Sequence, residues 1–333
     1  MSGPAPGNAE GSGWADLNGR VLRIAITLGD PRGVGPEVVE KAVCRFLDEV
    51  PDVELVRLGP EGFETGSTPF RMVGSWDGTE ASAGAVAAAA IREATRLALA
   101  GEVAAVVTAP IHKPALRAAG VDAPGHTELL GEMSGAPAVG MLMAAERTRW
   151  DAPLRVLLAT THLPLRDVPR VLTTELLVEQ GLLLHRALRS DWGFDRPRIA
   201  LCAFNPHASD GGLFGDEEER VYAPALERLA REGVAVTGPL PADTVFARAL
   251  KGDFDAVVAP YHDVGMAAFK TVAFSSGVNV TLGLPFVRTS PDHGTAFDLV
   301  GRGVADESSM LEALRLATRL ATRRRQRSAG PAL

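Results

Sequence analysis

Six of the seven histidines in this 333-residue chain lie beside proline, glycine or acidic residues rather than on a helical face. Their settings are "APIHKP", "PGHTELL", "TTHLPLRDVP", "FNPHASDGG", "PYHDVG" and "SPDHGTAFD"; only His185, in "LLLHRAL", reads as an ordinary helix residue. His162, His207 and His262 share one context, since each follows an apolar run that reads as a buried strand. In an open α/β sheet the carboxyl ends of the strands face the ligand crevice. Three imidazoles converging there would make an open metal site, with positions left for water or substrate. A histidine after a strand also serves as a turn hydrogen-bonder, and separations of 45 and 55 residues match no local metal motif. The repeated context, not the spacing, carries the metal reading.

Other polar turns add donors. "GHTELL" offers His126 and Thr127, although Thr127 with Glu128 also reads as a helix start. "FKTVAFSSGVNVTLGLPFVRTS" spreads Lys270, Asn279 and Arg288 through an apolar stretch, where a cation is costly unless an anion pairs with it. A phosphate or carboxylate ligand would do so, and so would a structural ion pair. "GDPRGVGPE" is neither a dinucleotide fingerprint nor a phosphate loop. It is either an anion-binding helix start or a tight strand–helix turn.

These groups need a scaffold, and the pattern around them supplies one. "VLRIAIT", "EVAAVVTAP", "LRVLLATTH" and "PRIALCAFNPH" read as strands. "GPEVVEKAVCRFL", with Pro36 at its start, "SAGAVAAAAIREATRLALA" and "SSMLEALRLATRLATRRRQ" read as helices, the last with Ser309 and Glu312 at capping-box spacing. The alternation predicts an α/β protein with mostly parallel sheets. A net charge of −7 gives no basic field for nucleic acid or anionic lipid, and the closing "TRRRQR" suits the negative end of a helix. No apolar stretch reaches membrane-spanning length and no signal-peptide core is present, which points to the cytoplasm. Cys44 and Cys202 form no CxxC pair and are expected as buried core thiols. Residues 1–19, rich in Gly, Ala, Pro and Ser, are expected to be a disordered tail.

Taken together, "GDPRGVGPE", "TAPIHK", "GHTELL", "THLPLRDVP", "NPHASDGG", "GPLPADTVF", "PYHDVGMAAFK" and "GVNVTLGLPFVRTSPDHGTAFDL" resemble the 4-hydroxythreonine-4-phosphate dehydrogenases, in family order over about residues 22 to 320. The resemblance implies an NAD-dependent, divalent-metal-dependent (Zn, Mg or Co) homodimer of pyridoxal 5′-phosphate biosynthesis. It also implies the fold of the isocitrate and isopropylmalate dehydrogenases, two α/β/α domains with the active site in the cleft between them. Residues 20–130 with 293–325 would form one domain, and residues 131–292 the second, carrying metal ligands and dimer interface. By position, His162, His207 and His262 match the family's metal ligands. His126, Thr127, Lys270, Asn279 and Arg288 match its substrate-binding residues, and Asp243, in "PADT", an acidic residue of its active site. Either Asp243 or His126 would be the catalytic base. "HGTAFDLVGRGVAD" is similar to the loop that holds adenosine in isopropylmalate dehydrogenases, which assigns His293, Gly294, Thr295 and Ala296 to the cofactor. In the family two metal ligands come from one subunit, here His162 and His207, and the third, His262, from its partner. Val264, Ser209 and Asp210 depart from the family's "YHDQG" and "HAGE". They leave room for a sibling enzyme that oxidises threonate or erythronate 4-phosphate, and a non-catalytic metal and phosphate-binding protein is the remote alternative.

Overall fold

Runs such as Leu22–Thr27 alternate between two cores: Ile24 and Ile26 point into one and Ala25 into another, as a strand covered on both faces requires. The computed structural model describes residues 21–66, 68–122 and 125–328, so the expected tail at 1–19 lies outside the described residues. Among the described residues eleven strands form one sheet: β1 (Leu22–Thr27), β2 (Val53–Gly59), β3 (Phe70–Met72), β4 (Ala105–Thr108), β5 (Gly140–Ala145), β6 (Leu154–Leu158), β7 (Arg198–Cys202), β8 (Ala235–Leu240), β9 (Ala256–Ala259), β10 (Val278–Leu282) and β11 (Val287–Pro291). Their spatial order is β3-β2-β1-β4-β11-β10-β5-β6-β9-β7-β8. Pairing is parallel on both flanks and antiparallel only where β10 meets β11 and β5, and where β5 meets β6. The architecture is a mostly parallel α/β sheet, and a single sheet runs through both halves of the chain.

The helices are α1 (Gly35–Glu49), α2 (Glu80–Leu99), α3 (Lys113–Ala118), α4 (His126–Ser134), α5 (Val168–Val171), α6 (Thr174–Ser190), α7 (Ala223–Arg231), α8 (Ala242–Leu250), α9 (His262–Ala273) and α10 (Ser308–Ser328). On one face α1, α6, α7 and α10 share a continuous core built on residues such as Phe46, Leu184, Leu229 and Leu314. The other face is divided. α2 and α4 bury Ile91 and Leu130 over β1 and β4, while α8 and α9 bury Phe246 and Phe269 over β6, β7 and β9. Among the described residues no helix is long and apolar enough to cross a membrane.

Two local expectations are corrected, and one open reading is decided. Ser309 and Glu312 form no capping box: the Ser309 hydroxyl donates to the Gly277 carbonyl (2.8 Å), and Glu312 pairs with Arg315. The helix instead starts where the Ser308 amide donates to the Asp306 carboxylate (2.9 Å). Cys44 is exposed, because it falls on the outward side of α1; Cys202 alone is buried, and burial pushes its thiol up to about 12. The glycine-rich turn after β1 is a strand–helix connection rather than an anion cradle, since four of its groups bond within the chain through their amides. Asp30 donates to Pro110 O, Arg32 to the Asp30 carboxylate, Gly33 to Asp30 O and Val34 to Thr295 O.

Candidate active site

A cavity of about 650 Å³ opens at the carboxyl ends of β6 and β11 and the amino ends of the antiparallel β5 and β10, between the two clusters on the divided face. Val139 lines it from one cluster and Met143, Leu158 and Met266 from the other. Arg288, near the middle of β11, projects into it and is 2% exposed. Its Nη1 donates to Thr281 Oγ1 (2.9 Å) and its Nη2 to Thr108 Oγ1 (2.6 Å), while Nε has no partner. No carboxylate bonds it, and burial pushes the guanidinium down to about 9, with Glu128 acting against the shift. Arginine keeps its proton in proteins, so that pressure amounts to a demand for an anion.

Around Arg288 stand other polar atoms without partners. His126 Nε2, at the first residue of α4, and Asn279 Oδ1, on β10, are shielded from solvent and unbonded. Burial, and then Arg288, hold the His126 imidazole well below its ordinary range, so it is neutral at pH 7 and able to accept a proton or a hydrogen bond. Thr127 lines the same wall. In a native structure buried unsatisfied polar groups are few. Two of them beside a buried cation whose own Nε is unbonded describe a site preformed for a polar, anionic ligand.

The metal histidines separate into two groups. β6 and β9 are parallel neighbours with Leu158 opposite Ala259; beyond them the Ala159 amide donates to Ala259 O and the Thr160 hydroxyl to Pro260 O. That lock carries His162 and His262 to the same place, with ring centroids 5.6 Å apart, and both line the cavity. His262 Nδ1 is 2.7 Å from Asp263 Oδ1, which leaves Nε2 for another partner. Burial, then Lys113 and His262, keep His162 below its ordinary range and so neutral, the form that ligates metal. His207 does not join them. It follows β7, on the far side of β9, is largely exposed, and has Asp210 (3.1 Å) and Phe214 beside its ring. Among the described residues no group of three His, Cys, Asp or Glu side chains is placed to hold a metal within one chain.

The loop that carries His207 is unusual in its backbone. His207, Ala208, Ser209 and Asp210 have φ of 52°, 55°, 71° and 44°, four successive non-glycine residues in the left-handed region. The conformation is held from outside. Glu218 accepts the amides of Phe204 (2.9 Å) and Asn205 (2.7 Å), and the Ser209 hydroxyl bonds Gly215 O. Strain that the surroundings enforce marks functional segments. Asp243, in the first turn of α8 beyond the edge strand β8, is also exposed and lies outside the cavity.

Lys270 and the cofactor loop are tied to one another. Lys270 Nζ sits 2.7 Å from Asp292 Oδ2 and donates to Asp292 O (3.1 Å), so its charge is already met within the chain. His293 and Gly294 line the cavity, and His293 Nε2 is shielded without a partner. Thr295 O receives the Val34 amide, and a side chain at Gly33 would begin 2.8 Å from that oxygen. The glycine-rich turn thus packs directly against residues 293–296, where Ala296 has φ 43°.

Residues 49–317 match the model of the family described as pyridoxal phosphate biosynthetic protein PdxA. The chain belongs to this family. A 4-hydroxythreonine-4-phosphate dehydrogenase from Beijerinckia indica is 42% identical over 325 residues, 89% of this chain and 94% of the relative. The crystal structure of the Klebsiella pneumoniae 4-hydroxythreonine-4-phosphate dehydrogenase superposes with a TM-score of 0.76 at 38% identity, covering 90% of this chain and 99% of that one. A terephthalate 1,2-cis-dihydrodiol dehydrogenase from Burkholderia xenovorans is 28% identical, with a TM-score of 0.63 and coverage of 90% and 98%. Family members are thus oxidoreductases, and the fold also carries a dehydrogenase of a different diol.

The sequence reading left some cavity residues unassigned. Lys113 and Glu128 line the cavity as its unassigned charged walls near His162 and Arg288, and Gln180 adds a shielded Oε1 without a partner. Lys113 and Glu128 stand inside "TAPIHK" and "GHTELL", so the motifs themselves pointed to them. Gln180 lies in an unremarkable helix and gave no such signal.

Proposed function

We propose that the chain is a cytoplasmic, NAD-dependent, metal-requiring homodimer that oxidises 4-phosphooxy-L-threonine at its C3 hydroxyl. The product, 2-amino-3-oxo-4-phosphobutanoate, loses CO2 to give 3-amino-2-oxopropyl phosphate, in pyridoxine 5′-phosphate biosynthesis. The observation that carries this reading is Arg288, a buried guanidinium without a carboxylate partner, with His126 and Asn279 also unsatisfied around the same space. A phosphorylated, carboxylated substrate supplies the missing anions. The two lobes, residues 20–130 with 293–325 and residues 131–292, would close on it along the divided face.

The residues fit the implied cofactors. His162, held neutral by burial, and His262, its ring adjacent, suit an imidazole-binding divalent cation such as zinc or cobalt better than magnesium. Such a metal supplies a Lewis acid that acidifies the substrate hydroxyl and stabilises charge on the ketone oxygen. NAD would take the hydride, lying against residues 293–296. The chain's own part is binding, orientation and proton handling. Arg288 and Thr127 hold the anionic groups and Asn279 fixes a hydroxyl or ammonium. His126, kept neutral, is the base available inside the cavity. Lys270 would exchange part of its contact with Asp292 for a substrate anion.

His207 and Asp243 fit this scheme as contributions from a second copy. Both are exposed, at the β7 and β8 end, and the exposed side chains of Leu213 and Phe214 flank His207. A strained histidine presented on an apolar patch suits insertion into a twofold-related site. The ligand in trans is therefore His207, with His162 and His262 the pair held by one chain. The sequence-based expectation had paired His162 with His207.

A sibling activity on threonate or erythronate 4-phosphate rests on one feature, the departure at Ser209 and Asp210, because Asp210 orients the His207 ring. Purified enzyme with each candidate phosphate and NAD, followed by NADH absorbance with and without chelator, tests both readings. Turnover with 4-phosphooxy-L-threonine well above the others is expected. A preference for a C2-hydroxy substrate selects the sibling, and NADH formation from none of them would overturn the dehydrogenase assignment.

A further inference from the structure

A second cavity, of about 580 Å³, lies between the last turns of α6 and α10, and its chemistry is one-sided. Its walls are His185, Arg186, Arg189 and Ser190 from α6 and Arg324 and Arg327 from α10. Four guanidinium groups, an imidazole and a hydroxyl face one hollow, and no carboxylate lines it. Several exposed arginines elsewhere on this acidic chain are matched locally, as in Arg23–Glu54, Arg147–Asp151 and Arg198–Asp255. Here the nearest acid is already spent. Asp191 is buried and holds Arg324 through two bonds (2.9 and 2.7 Å), and the Ser190 hydroxyl takes Oδ1 at 2.7 Å. Among the described residues no ion pair joins Arg186, Arg189 or Arg327 to a carboxylate. Arg327 is instead turned inward, its Nη1 bonding the Arg189 carbonyl, which crosses from one helix to the other and props the hollow open.

His185 adds an independent mark. Its Nδ1 is shielded from solvent and has no partner, although the ring sits on the cavity wall. Burial, then Arg189 and Arg186, keep the ring below its ordinary range and uncharged. Like-charged guanidinium groups held together repel unless an anion comes between them. At about 580 Å³ the hollow has the size of a small-molecule site rather than of a nucleic-acid track.

We propose that the α6–α10 cavity binds a small soluble polyanion carrying at least two phosphate-type groups. Arg186 and Arg189 hold one anionic group from the α6 side and Arg327 the other from α10, with Arg324, fixed by Asp191, forming the floor. The first half of α6 lines the central cavity through Leu176, Glu179 and Gln180, so one helix borders both sites.

The test is an NMR titration of the intact enzyme that follows the His185 ring resonance, assigned by its absence in His185→Gln. Inorganic phosphate and fructose 1,6-bisphosphate serve as mono- and bisphosphate probes, with sodium chloride at matched ionic strength as control. The expected result is a saturable His185 shift at one site per chain, with the bisphosphate about tenfold or more tighter than phosphate. Arg186→Ala/Arg189→Ala, two exposed positions outside the catalytic machinery, should weaken it at least about tenfold. The matching Lys double variant should recover part of the affinity, separating charge from misfolding. A shift that chloride reproduces, no shift with either phosphate, or equal binding in the Ala variant would overturn the proposal. Tight binding of a single-stranded oligonucleotide with none of the bisphosphate would reassign the surface to nucleic acid.

Discussion

The two ends of the proposed active site are built on opposite terms. Around β4, β10 and β11, Arg288, His126 and Asn279 are shielded and short of partners, and Arg288 is fixed by Thr108 and Thr281. Where β7 and β8 finish, His207 and Asp243 are exposed and lie away from the cavity. Between them, His162 and His262 meet at the β6–β9 boundary. On the proposed reading one end is a receptor formed within a single chain and the other a strained projection that enters a second copy. A site divided in that way would couple catalysis to assembly, since the chain that binds the anion would take its third imidazole from the other.

The contrast can be broken at its middle first. Stripping the metal with a chelator should abolish NADH production, and zinc or cobalt should restore it. His162→Ala, His262→Ala and His207→Ala should each leave less than about 1% of activity, given what is lost when a metal's ligand set is opened. Wild-type turnover in stripped enzyme would reduce the histidine pair to a structural contact.

The receptor end yields the next largest effect. Arg288→Met should weaken substrate binding about 10- to 150-fold, the loss of a charge-assisted contact, with NAD affinity nearly unchanged. The same change removes a buried cation that lacks a carboxylate partner, so unfolding free energy should rise by about 1–2 kcal/mol. Lower affinity together with a higher Tm would identify a group kept for function; a lower Tm would make Arg288 a structural prop. Lys270→Ala should cost less, under about tenfold in substrate affinity, because Asp292 already holds the ammonium. A loss equal to that of Arg288→Met would show that Lys270 leaves Asp292 completely.

The smallest effects test how the chain sorts residues of one type. His185→Gln should turn over at the wild-type rate, since His185 lies outside the central cavity. A thiol reagent should label one cysteine in the native protein, the exposed Cys44. Cys202, its thiol pushed up to about 12, should react only after unfolding. Two fast labels would mean that β7 opens readily.

Much of this was legible in the sequence, for a physical reason. Strand ends are marked by apolar runs that stop abruptly, and His162, His207 and His262 all stand just past such stops. Arg288 was legible because a cation in an apolar strand needs an explanation. What stayed hidden depends on contacts distant in sequence. Asp292 takes up Lys270 from 22 residues away, and nothing in "MAAFK" announces it. Ser309 and Glu312 carry capping spacing, yet Gly277 and Arg315 claim their side chains. Strand order decides which histidines meet: β9 lies between β6 and β7, a fact that no spacing of 45 or 55 residues encodes. Cys44 is a different case: apolar by neighbourhood, it falls off the stripe of Val39, Val43 and Phe46 that α1 buries and comes out exposed.

The division of the metal site between two chains is tested most directly by co-refolding inactive variants. Under the present account His162→Ala with His207→Ala gives mixed dimers in which one site gathers both substitutions and the other is intact. Equal amounts should make about half the dimers mixed and so restore roughly a quarter of wild-type activity. His162→Ala with His262→Ala should restore nothing, because both ligands come from the same chain and each site of a mixed dimer is damaged. Activity returning to the second pair but not the first would place His262, not His207, across the interface. Background activity in both pairs, with mixed dimers demonstrated by mass, would contradict a shared site altogether.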